Sequence, residues 1–260
     1  DGLGYGGIVG ACEDDFGVQV CGGIEPLAEC LLRARDHAAG AQLGEALPRT
    51  AELLDLLPAA LPAVSGLPDF PGCDDCSVAP GARQGVEQCA KAVTKAVRGL
   101  TTSLDKVFAG CAQKVFACVQ IKGTDACLAG AAATCDKGAA AIDAAFAKLA
   151  ATVAKKCGAG VDFAGLADAT GLNLGALGAV CPTTPASASE LAACLQQRTA
   201  CATAGQARRA FARLEGLAAD ERLGALGPRV GASCPQGASS LQARTARGGR
   251  GVFGRMTEVM

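Results

Sequence analysis

The 260-residue chain has no tryptophan, one tyrosine (Tyr5), one histidine (His37), two methionines and one asparagine. A single imidazole excludes a polyhistidine zinc site, and His37, preceded by Arg35-Asp36, stands in no CxxCH haem attachment. Eight phenylalanines and Tyr5 are the only rings, too few to form stacking platforms for bases or sugars. Asn173 is followed by Leu-Gly, so there is no N-x-S/T acceptor. No uninterrupted apolar run reaches the ~18 residues of a transmembrane helix. The positive mean hydropathy of +0.28 comes from alanine rather than from a lipid-facing span.

What is abundant is alanine (56), glycine (35) and cysteine (15). This cysteine density suits an oxidising compartment, where disulfides persist. Asp1 in place of a methionine fits removal of a signal peptide. The expectation is a secreted protein, extracellular or on the cell surface. Charge is segregated: residues 1–81 carry net −10, residues 82–157 net +6 and residues 158–260 net +3. All nine lysines lie between Lys91 and Lys156.

The central stretch is the most readable. Val86, Cys89, Val93, Val97, Leu100, Leu104, Val107, Cys111, Val115 and Cys118 recur every three or four residues, one face of a long helix. Lys122-Gly123-Thr124-Asp125 supplies a stop and a start. A second stripe follows: Cys127, Ala131, Cys135, Gly138, Ile142, Phe146, Leu149, Val153 and Cys157. Two such helices joined by a short loop form an antiparallel hairpin, in which facing residues have a constant sum of position numbers. Cys118 with Cys127 gives 245; Cys111 with Cys135 and Cys89 with Cys157 give 246. Val93/Val153, Val97/Leu149, Leu100/Phe146 and Leu104/Ile142 also give 246. Three disulfides are therefore expected at the tip, upper third and base. A hairpin faced by Ala, Val and Gly buries little apolar area, and each bridge adds about 2–4 kcal/mol.

The flanks carry an internal repeat. Val20-Cys21 and Leu27-Ala28-Glu29-Cys30-Leu31 reappear as Val180-Cys181 and Leu191-Ala192-Ala193-Cys194-Leu195. Each copy reads as a helix pair broken near Gly40 and Gly205. The expected fold is all-α: a long disulfide-stapled antiparallel hairpin flanked by two related short helical modules, with Gly-rich extended termini. The divisions are an acidic module with a Pro-rich linker at 1–81, the hairpin at 82–157, a second module at 158–243 related to 20–73, and a Gly/Arg-rich tail at 244–260. The repeat suggests Cys30–Cys73 and Cys194–Cys234 as equivalent bridges, completed by Cys12–Cys21 and Cys181–Cys201. Cys76 is left over, unpaired or intermolecular, because fifteen is odd.

Other motifs support little chemistry. Cys73-Asp74-Asp75-Cys76 is a CxxC without a βαβ context, and its two acids oppose thiolate formation. His37 reads as a surface or cap residue. The Gly-rich ends open no strand–helix unit that would hold phosphate. Arg244, Arg247, Arg250 and Arg255 form a basic tail without interleaved aromatics, so no nucleic-acid partner is expected. Glu13-Asp14-Asp15 lacks the spacing of a calcium loop. Thr183, Thr184 and Ser187 lie in a segment suited to O-glycans.

Cys111/Cys118, Cys127/Cys135, Lys155-Lys156-Cys157-Gly158 and Leu191 to Leu195 together resemble uncharacterised cysteine-rich exported helical proteins of deltaproteobacterial type. The resemblance spans roughly residues 82–217 and implies no activity. Bacterial copper-storage bundles also bear cysteines on helices, but theirs are closely spaced, whereas these are sparse and mirror-paired.

Two functions are weighed. The first is a structural exported protein that polymerises head to tail into an extracellular filament or surface layer. Unlike charges on its two ends favour that contact, and apolar residues in the Gly-rich termini (Leu3, Tyr5, Ile8, Val252, Phe253) add to a neighbour. The alternative is a periplasmic protein that binds or stores Cu(I) or Zn through thiolates. The first is preferred, which makes copies of itself the partner and implies no enzyme activity, no resident metal and no cofactor.

Overall fold

The computed structural model describes residues 24–48, 83–158, 161–168, 171–211, 213–219 and 222–230, and these are all-α. Four long helices dominate: α1 (Ile24–Ala46), α2 (Arg83–Ala117), α3 (Asp125–Val153) and, after short α4 (Phe163–Ala167), α5 (Ala188–Ala210). Short α6 (Leu214–Ala219) and α7 (Gly227–Val230) follow.

α2 and α3 form the hairpin because their apolar stripes face one another. Cys89, Val93, Val97, Leu100, Leu104, Cys111, Val115 and Cys118 are buried on one side; Ala131, Cys135, Ile142, Leu149, Val153 and Cys157 are buried on the other. Between the two helices, the turn Cys118–Lys122 is wider than an α-turn, and Gly123 ends it by donating its N–H to the Cys118 carbonyl at 2.8 Å. Gly123 adopts φ 59°, a left-handed conformation that glycine takes without a Cβ penalty. The Thr124 hydroxyl then caps α3 by accepting from Cys127 N. A second wide turn, Ala154–Gly158, carries Cys157 to the base.

The three hairpin bridges are present: Cys89–Cys157, Cys111–Cys135 and Cys118–Cys127, with Cα atoms 4.9, 5.0 and 5.4 Å apart. With each Cα about 2.3 Å from its helix axis, this spacing fits axes packed about 8–10 Å apart, the usual range. One small residue eases the contact. Gly138 fits against Val107 where a β-carbon would lie 2.6 Å from Val107 Cγ1. One detail of the α2 stripe differs from expectation: Phe108 is buried, whereas Val107 is only half-buried. The cause is a second covering on α2, because α5 packs against it as well as α3.

α5 starts at the hairpin base, with Ala188 against Gly158, and ends near the tip, where Phe211 stacks on Phe116 at 6.1 Å. α1 runs antiparallel to α2: Thr101 donates to Gln42 Oε1 at 3.2 Å, and Arg35 acts electrostatically on Asp105. α1 also packs on α5. Neither expected break at glycine occurs, since α1 continues through Gly40 and α5 through Gly205. A mid-helix glycine costs about 1 kcal/mol, and the buried faces of both helices offset it.

Two proposed bridges are corrected. Cys181 is bonded to Cys194, with Cα atoms 5.6 Å apart, which displaces both Cys181–Cys201 and Cys194–Cys234. The reason is local. The loop from Cys181 folds back along the first turns of α5 and delivers Cys181 to Cys194, whereas Cys201 lies two turns farther along. Cys201 and Cys30 are each in a disulfide as well. Cys12–Cys21 lies outside the described residues, as do Cys73, Cys76 and Cys234.

Candidate functional site

A half-open cavity of about 330 Å³ lies between α2, α3 and α5. Leu104 and Phe108 of α2, Ile142 and Phe146 of α3, and Ala193, Ala200 and Cys201 of α5 form its mainly apolar wall. Alanines on α5 explain the space, because they present too little side chain to fill the gap beside the two phenylalanines.

The polar edge is built by contacts far apart in sequence. Gln196 Nε2 donates to the Phe146 carbonyl at 2.8 Å. Arg229 pairs with Asp143 at 2.6 Å, and its guanidinium lies 5.8 Å from the centre of the Phe146 ring. Asp136 holds the same segment by accepting from Ala225 N at 2.9 Å, and Arg208 Nη1 donates to the Val230 carbonyl. The 224–230 segment is therefore clamped to α3 and α5 beside the cavity. Chemically the cavity offers shape and apolar surface, with Gln196, Gln197 and Arg229 as its polar residues.

All ten cysteines among the described residues are in disulfides. Those residues hold no group of three or more His, Cys, Asp or Glu side chains placed to share a metal ion. His37 is half-buried on α1. Asp105 is pushed above its ordinary carboxylate value by burial, and the nearby Arg35 pulls it partly back. Ser187 caps α5, accepting from Glu190 N at 3.2 Å and sharing a hydrogen bond with Ser189. Glu190 reciprocates by accepting from Ala186 N at 2.7 Å. Thr183 and Thr184 are exposed. The terminal residues Leu3, Tyr5, Ile8, Val252 and Phe253 lie outside the described residues.

Arg229 and the cavity were missed from sequence. The charged pair Arg229–Asp143 spans 86 positions, and no local pattern announces such a contact. Comparison with family models, curated proteins and solved structures returned no match. No described helix is long and apolar enough to cross a membrane.

Proposed function

We propose that the chain is an exported structural protein that assembles with copies of itself into an extracellular filament or surface layer, without catalytic activity. The observation that carries this reading is the disulfide bonding of all ten described cysteines. It suits a protein that persists in an oxidising environment, and it takes those ten sulfurs out of the thiolate pool that Cu(I) or Zn storage would need. Three bridges along one hairpin make a stiff rod-like arm. The charge division of the chain, −10 in residues 1–81 and +9 in the rest, favours contacts between unlike ends. Multiple disulfides and the lack of a spanning helix among the described residues are compatible with secretion.

The test begins with unreduced, denatured protein, in which the ten described cysteines should be unreactive toward a thiol reagent. Native protein is then concentrated and followed by sedimentation and electron microscopy. Polymers that shorten when residues 1–10 or 248–260 are deleted support the reading. A chain that stays monomeric at high concentration rules out self-assembly, and many reactive thiols would revive metal storage.

A further inference from the structure

We propose that the half-open cavity between α2, α3 and α5 binds a medium-chain carboxylate, its alkyl chain along the apolar wall and its head at Arg229. Volume, shape and charge each point to that class of ligand.

At about 330 Å³, the cavity sits at the lower end of the ~300–1,000 Å³ range of ligand pockets. A water molecule takes about 30 Å³ of the liquid, so this space equals roughly eleven waters. That is the bulk of an unbranched chain of about ten carbons plus its head. The space is also elongated. Its α5 wall runs from Ala193 to Ala200, seven rises of about 1.5 Å, or about 10 Å in all. Phe146 and Phe108 stand towards opposite ends. The register fixed by Cys89–Cys157 and Cys111–Cys135 sets Phe146 level with Leu100, and Phe108 lies about two turns nearer the tip.

The polar groups gather at the Phe146 end. There the Arg229 guanidinium lies 5.8 Å from the ring centre, and Gln196 Nε2 donates to the Phe146 carbonyl. Arg229 is the single charged residue in the cavity wall, and a guanidinium stays charged at any working pH. Its Nη2 pairs with Asp143, whose side chain is 63% exposed and lies outside that wall, where water screens it. The guanidinium fork carries five N–H donors, so the Asp143 pair leaves donors for a second carboxylate. An anionic head gains charge-assisted hydrogen bonds at this end, whereas an ammonium head meets a like charge. Beyond the head, each methylene laid against Leu104, Ile142 and Phe108 is removed from water. A tail without polar groups matches that stretch of wall.

Calorimetric titration of the full, unreduced chain with decanoate, decan-1-ol and decylammonium, each below its micelle concentration, tests the site. Decanoate should bind one to one and about tenfold more tightly than decan-1-ol, with decylammonium weakest. R229Q should bring decanoate down to the level of decan-1-ol and leave decan-1-ol unchanged. A193L and A200F add bulk at two separate points of the α5 wall, and each folded variant should lose decanoate and decan-1-ol alike. Three results overturn the proposal: no decanoate binding, decylammonium held as tightly as decanoate, or decanoate binding that survives both wall substitutions.

Discussion

Gly138 of α3 lies so close to Val107 of α2 that a β-carbon on Gly138 would sit 2.6 Å from Val107 Cγ1. Two effects oppose each other at this position. Alanine improves helix propensity by about 1 kcal/mol, while overpacking costs about 1–3 kcal/mol. G138A should therefore destabilise the native chain by about 1 kcal/mol. In a V107A background the clash is gone, so the same change should stabilise. Chemical denaturation of the four proteins measures the sign in each background, and a stabilising G138A in the unmodified chain would refute the close fit.

The hairpin bridges should differ in worth. Their sequence separations are 68 for Cys89–Cys157, 24 for Cys111–Cys135 and 9 for Cys118–Cys127. Because the inner bonds shorten the outer loops, chain-entropy arguments give about 4.0, 3.1 and 2.7 kcal/mol respectively. Paired Cys→Ala variants should lose melting temperature in that order. A tip bridge as costly to remove as the base bridge would contradict it.

The pH response of Asp105 has a definite sign. Burial raises its folded-state value above the ordinary 3.8, with Arg35 opposing. The folded state therefore holds the proton more tightly than the unfolded state, and this residue lowers stability once both states are ionised. The penalty fades as pH falls through the raised folded value toward 3.8. D105N should be more stable than the parent at neutral pH, and the difference should shrink on acidification. Equal unfolding midpoints at pH 7 would refute the burial penalty at Asp105.

Ser187 gives a simpler test. Its hydroxyl accepts from Glu190 N at the start of α5, and such a cap is worth about 1 kcal/mol. S187A should lower stability by about that amount and S187D should restore most of it. Thermal melts of the two variants decide.

The hairpin was legible because the same numerical rule joins its cysteines and its apolar residues. Cys111 with Cys135 and Leu104 with Ile142 share one sum, so a single register satisfies both. The bridges of the second module had no such cross-check. Cys181 could be matched with Cys201 on paper, but the path of the loop onto the first turns of α5 selects Cys194. That path depends on Leu174 and Leu177, which are fully buried, and on turns with no periodicity to read. The cavity was illegible for a related reason. Ala193 and Ala200 look like ordinary helix formers, and whether they leave space depends on how closely α5 approaches Phe108 and Phe146.

The bond between Cys89 and Cys157 also decides how tension travels. A chain pulled from either side of the hairpin transmits force through that bond and not through the helices. Without it, the 22 residues on each side down to the Cys111–Cys135 bond would release about 150 Å of extended chain. With the bond closed, that slack is withheld, and the interior of the arm carries no load. An array of such molecules would stretch only through the segments outside the hairpin, while each arm kept its length until the sulfur–sulfur bond was reduced.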